Sequence, residues 1–197
     1  MTIERYRLLN LLTSIFMFVV LIAGVIVTNT ESGEGCGTDW PLCHGKFIPA
    51  YTLESMIEYS HRLVTGIVTI FVAASFFVTV FWKPARCKES VWYASLIVFF
   101  TLLQAALGAA AVLWPQSDAV MALHFGISLF AFTSTWLLYA YSDKWARSGE
   151  PRLAGVDASP AHRSVFWFTI TAIVYCYVVI YLGAYIRHTG TGGACSG

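Results

Sequence analysis

Five apolar stretches, each long enough to cross a bilayer, decide what this chain can become. They lie at Leu8–Thr28, Ile57–Trp82, Val91–Leu113, Ala119–Tyr141 and Val165–Ile186. A run of about 20 predominantly apolar residues spans the hydrocarbon as a helix. Of the 197 residues, 57% are hydrophobic and only 12% charged, about half the charged share of a soluble domain. The sequence therefore predicts an all-α integral membrane protein surrounded by membrane lipid. The first stretch exceeds a signal-peptide core and runs into Thr28-Asn29-Thr30, not a small-residue cleavage site, so it stays in the mature protein. A net charge of +1 with no basic run argues against nucleic acid as a partner.

Lysine and arginine orient the spans. Arg5, Arg7, Lys83, Arg86, Lys88, Lys144, Arg147, Arg152 and Arg163 fall on one side, and Lys46, Arg62 and Arg187 on the other. The amino terminus is predicted cytoplasmic, with the Thr28–Ser55 loop and the carboxyl terminus outside. Cys36 and Cys43 share that outer loop, where oxidising conditions permit a disulfide. Gly37 and Trp40-Pro41 allow the tight return that a bridge needs. A redox-active or metal-binding pair is the alternative. Cys87 reads as a cytoplasmic free thiol, and Cys176 as a small apolar residue packed within the fifth span.

Part of the chain repeats. Gly24–Cys36 and Gly183–Cys195 both lead from a span into an outer loop, with Thr, Gly and Cys at matching places and a constant offset of 159. Duplicated halves are common in membrane proteins. The expected organisation is a first four-helix half over 1–160 and, over 161–197, the first helix of a second half that continues past Gly197.

Glu58-Tyr59-Ser60-His61-Arg62 stands at the mouth of the second span. Ionisable groups at membrane depth are costly and mark function by default. Ser55-Met56-Ile57-Glu58 fits a capping box that would start the helix near Ser55, and Ser117-Asp118 is a start signal for the fourth. His61 is six residues beyond Ser55 and His124 six beyond Asp118, or roughly 9 Å along each helix. Two imidazoles at one depth on parallel helices suit axial ligation of a haem iron. Zinc would want further ligands, which the span of His124 does not offer. Glu58 reads either as the capping acid, paired with Arg62, or as a carboxylate that moves protons beside a cofactor. Arg62, and Arg187 with His188, would hold carboxylates or snorkel to the interface. Gly66, Gly108 and Gly126 permit close helix approach or line a flat cofactor, and Gln104 reads as a helix–helix hydrogen bond.

These residues together resemble the haem A synthase family of cytochrome oxidase assembly. The resemblance rests on Glu58–Arg62, the loop Cys36-Gly37-Thr38-Asp39-Trp40-Pro41-Leu42-Cys43-His44-Gly45, the segment Met121–Gly126, and the segment Gly183–Gly190. It implies an eight-helix fold of two similar halves and oxidation of the C8 methyl of haem O to a formyl group by successive hydroxylations. It implies that His61 and His124 hold substrate haem, that Glu58 is the catalytic carboxylate, and that a haem b sits in the other half. Cys36 and Cys43 match the family's outer-loop pair. The implied setting is the plasma membrane, with haem O as ligand, haem O synthase as a partner and homo-oligomers as an assembly.

Two other functions compete. A b-type cytochrome would use the same histidines for electron transfer only. A quinone-linked thiol oxidase would work through Cys36 and Cys43.

Overall fold

The computed structural model describes residues 1–39, 42–47, 51–114, 117–149 and 160–190, without the side chains of 160–162 and 188. Trp40-Pro41, Arg152, the Cys195 loop and the His188 side chain, all used above, lie outside the described residues. Five helices follow in order: α1 (Ile3–Asn29), α2 (Leu53–Phe81), α3 (Lys88–Leu113), α4 (Asp118–Ser148) and α5 (Pro160–His188). A 3-10 turn at Ser32–Glu34 follows α1. All five helices are long and apolar enough to cross a membrane, and the described residues contain no strand.

Each helix starts ahead of its apolar stretch, and α1, α4 and α5 also run past its end, because a helix continues into the interface until a cap stops it. Thr2 caps α1 by accepting from the Arg5 amide at 3.4 Å. At its far end α4 runs on to Ser148, supported by an Asp143–Arg147 pair at 2.6 Å, and stops at Gly149 with φ 72°.

Two sequence readings are corrected. The cap of α2 is Thr52, three residues before Ser55, and its hydroxyl accepts from the Ser55 amide at 3.3 Å. The Ser55–Glu58 capping box does not form, because both side chains turn to the preceding loop instead. Cys176 is free but exposed. Its helix, α5, packs on α4 alone among the larger helix contacts, so most of its circumference meets no neighbour among the described residues that could bury a thiol. Cys87 is a free thiol as expected, and it caps α3. Ser117 caps α4 at the predicted place.

Helix α1 packs on α2 and α4, and α3 packs on α4 and α2. The four therefore close a ring in chain order, with α2 and α4 on a diagonal. The packed core lies at the end that carries the amino terminus and most of the arginines and lysines, called here the basic end. Tyr6, Met17, Val68, Val72, Ala94, Ile97, Ala131 and Leu138 are buried there. Hydroxyl pairs lock the same end: Tyr6 with Thr79 at 2.8 Å and Thr13 with Ser75 at 2.9 Å. Tyr6 also meets Trp82 and Trp145 edge-on, with ring centroids 5.7 and 6.2 Å away.

Candidate haem site at the loop end

His61 and His124 project from the diagonal pair α2 and α4. Their relative depth follows from aromatic contacts, since the corrected cap of α2 no longer supplies it: His61 is nine residues past Thr52 and His124 seven past Ser117. Phe16 of α1 stacks on Phe71 of α2 at 4.8 Å, and Phe18 of α1 meets Phe132 of α4 at 5.8 Å. Followed toward the loop end from these contacts, both histidines come level with Ile26 of α1. Counted from these contacts, the two histidines fall at about one depth.

Each imidazole lies against a glycine of a neighbouring helix. A Cβ on Gly24 of α1 would sit 3.5 Å from Cε1 of His61, and one on Gly108 of α3 would sit 3.6 Å from Cε1 of His124. His61 Nδ1 is buried without a hydrogen-bond partner among the described residues. Such a nitrogen is costly unless something else engages the ring. Behind His124, the Gln104 side-chain amide donates to the His124 carbonyl at 2.8 Å. Gln104 is thus the helix–helix bond that its isolation in the third span suggested, and it fixes the backbone that carries the second imidazole.

Glu58 lies one turn beyond His61 toward the loop and is only 3% exposed. Its Oε2 accepts from the Cys36 amide at 2.7 Å, and its Oε1 accepts from a terminal nitrogen of Arg62. The other terminal nitrogen of Arg62 donates to the Leu42 carbonyl at 2.6 Å. Cys36 and Cys43 form the disulfide, and both are buried, at 0% and 1% exposure. The His44 amide donates to the Cys36 carbonyl at 3.1 Å, and Cys43 pairs with Lys46 through two bonds of 3.0 Å. The loop backbone lies directly on α2. A Cβ on Gly35 would come within 2.5 Å of the Glu54 carbonyl carbon, and the Ser55 hydroxyl donates to the Gly35 carbonyl. Only glycine allows that approach.

The structure thus gathers Glu58, His61, Arg62, Cys36 and Cys43 on one side of the loop end, with His124 on the diagonal. Arg187 lies apart from them. Its guanidinium donates to the Thr28 carbonyl and to Asn29 Oδ1, both at 3.4 Å, at the end of α1. Sequence reasoning gave Gly24 no part in the site and missed the seat of Gly35 on α2. A helical glycine in an apolar span, facing no small-residue partner in sequence, was the available signal for Gly24. No local pattern announces Gly35.

The sequence pattern of the Cytochrome oxidase assembly protein family matches residues 50–197, well over half of the chain. The chain belongs to this family. Among curated relatives, the Heme A synthase of Bacillus pumilus is 43% identical over 194 residues, covering 96% of this chain and 61% of the relative. That of Bacillus licheniformis is 44% identical over 190 residues, covering 95% of this chain and 60% of the relative. That of Exiguobacterium sibiricum is 44% identical over 182 residues, covering 92% and 59%. The chain therefore spans about three fifths of the length of the relatives it matches.

The geometry fits the haem that the family implies. Two imidazoles stand on diagonal helices, each packed against a glycine of a neighbouring helix, and His61 has a buried ring nitrogen with no partner among the described residues. The chain is a multi-pass membrane protein of the cytochrome oxidase assembly family.

Proposed function

We propose that this chain forms the substrate half of a haem A synthase, in which residues 1–160 bind haem O and 161–197 begin a second half. The reading is carried by one observation: His61 and His124 are level on diagonal helices, each set against a glycine. Membership of the family supports it. In this reading the two imidazoles would hold the haem iron, as histidines commonly do in helical bundles. Haem O would be the substrate; turning its C8 methyl into a formyl group removes four electrons and adds one oxygen atom, so the reaction would also take an oxygen source and an electron acceptor.

The chain's own residues do the rest. Gln104 holds the His124 backbone in place. Gly24 and Gly108 keep room beside the rings. Glu58, one turn outward of His61, is the catalytic carboxylate, the only described Asp or Glu side chain buried at that end. The nine basic residues set the basic end in the cytoplasm and the loop outside the plasma membrane. Haem O synthase is then the source of substrate, and a homo-oligomer is the assembly of this reading. The full burial of Cys36 and Cys43 favours a staple over a thiol-exchange centre, because a sulfur must be reachable to exchange.

Product analysis tests the reading. The complete protein is incubated with haem O, and the extracted haem is weighed by mass spectrometry. Hydroxylated or formyl haem is expected, and its loss is expected in Glu58→Gln with haem still bound. Stable haem binding without any modified product would leave only the electron-transfer function.

A further inference from the structure

Arg62 adds a second point of attachment between the disulfide-bridged loop and α2, away from the contacts that Gly35 and Cys36 make. One terminal nitrogen reaches Glu58 on its own helix, and the other reaches the Leu42 carbonyl beside Cys43 at 2.6 Å. Glu58 in turn accepts from the Cys36 amide at 2.7 Å. The disulfide-bridged loop is thus gripped at both of its ends by one ion pair, at Cys36 through Glu58 and at Leu42 through Arg62. Both side chains are nearly buried, at 5% and 12% side-chain exposure. A planar guanidinium is suited to this task because its nitrogens diverge at fixed angles, whereas an ammonium is a single point of charge. His61 lies one turn below Glu58, so the gripped loop sits immediately outward of the imidazole.

We infer that Arg62 is a positioning residue: with Glu58 it latches the Cys36–Cys43 loop over the His61 side of the bundle and sets how readily that side opens. The inference deepens the haem reading, because it assigns control of entry to the same site. It also gives the buried arginine a use inside the protein, in place of contact with the carboxylates of a ligand.

Opening is read on the ligand-free chain in detergent as the rate at which a phosphine reductant and maleimide label Cys36 and Cys43, followed by mass. Wild type should label slowly. Arg62→Ala should label about tenfold faster or more, since each charge-assisted bond lost from a closed loop is worth at least about that factor. Arg62→Lys keeps the charge but not the fork, and should label nearly as fast as Arg62→Ala. Glu58→Gln retains an acceptor for the Cys36 amide and should fall between. A wild-type rate in Arg62→Ala would overturn the latch, and a wild-type rate in Arg62→Lys would overturn its two-ended geometry. Melting followed by circular dichroism verifies that each variant is folded. Transfer of bound haem to apomyoglobin is then timed in the same variants. Faster transfer is expected wherever labelling is faster, and unchanged transfer would overturn control of entry while the latch stood. If wild type takes up no haem, the haem reading fails by itself, and the labelling result still decides the latch.

Discussion

The basic end and the loop end of this bundle are made from the same four helices, yet they are filled in opposite ways. At the basic end, Tyr6, Val72, Ile97 and Leu138 are buried among one another, and hydroxyl pairs join α1 to α2. At the loop end the spans are lined with glycine and alanine, the histidines are half-buried, and the buried groups include Ser32, Ser55, Glu58, Ala122, Gly126 and the two bridged cysteines. In lipid there is little hydrophobic drive between helices, so close packing and polar contacts must supply the association. The basic end concentrates them. The loop end is held from above by the loop and leaves its interior to small residues. The contrast separates a densely packed scaffold end from the end that the proposed function makes the site.

The largest expected effect that separates the two ends is on stability. Leu138 is 1% exposed in the scaffold and Leu123, on the same helix beside His124, is 40% exposed. Leu138→Ala should lower stability by about 2 kcal/mol, the low end of the range for buried leucines, because in lipid the packing term dominates the loss. Leu123→Ala should cost less than about 0.5 kcal/mol. Thermal or denaturant unfolding in detergent measures both. Equal losses would erase the distinction between the ends.

A smaller effect concerns binding. Gly24→Val and Gly108→Val place methyl groups in the space beside the two imidazoles. Haem affinity should fall about tenfold, roughly 1.4 kcal/mol, in each, with the melting transition moved little. A haem titration followed by absorbance measures this. Unchanged affinity in both variants would mean that the glycines serve helix packing and not the site.

How much of this was legible before the structure differs between the same two ends. The five spans are written in hydropathy, which depends only on composition over about twenty residues. Ser117 and Gln104 also did what the sequence suggested, because each is a polar group in a setting where a single partner type is available. The start of α2 was misread because Ser55 and Glu58 fit a local capping pattern at the correct spacing. Tertiary bonds to Gly35 and Cys36 outcompeted that pattern, and the cap moved to Thr52. Cys176 was misread because periodicity within a span gives no information on which neighbours a helix has. The histidine pair was visible as two residues, but its depth match needed the Phe16–Phe71 and Phe18–Phe132 contacts. Those contacts join residues more than fifty apart in sequence, and no local rule reports them.

The central claim is that His61 and His124 jointly hold a haem. The direct measurement is the absorption spectrum of the purified chain after haem is added, compared among wild type, His61→Ala and His124→Ala. Wild type should give a six-coordinate, low-spin spectrum. Each single variant should lose it entirely while keeping the wild-type helix content. A low-spin spectrum that survives unchanged in either variant would contradict paired ligation, and with it the assignment of the loop end as a haem site.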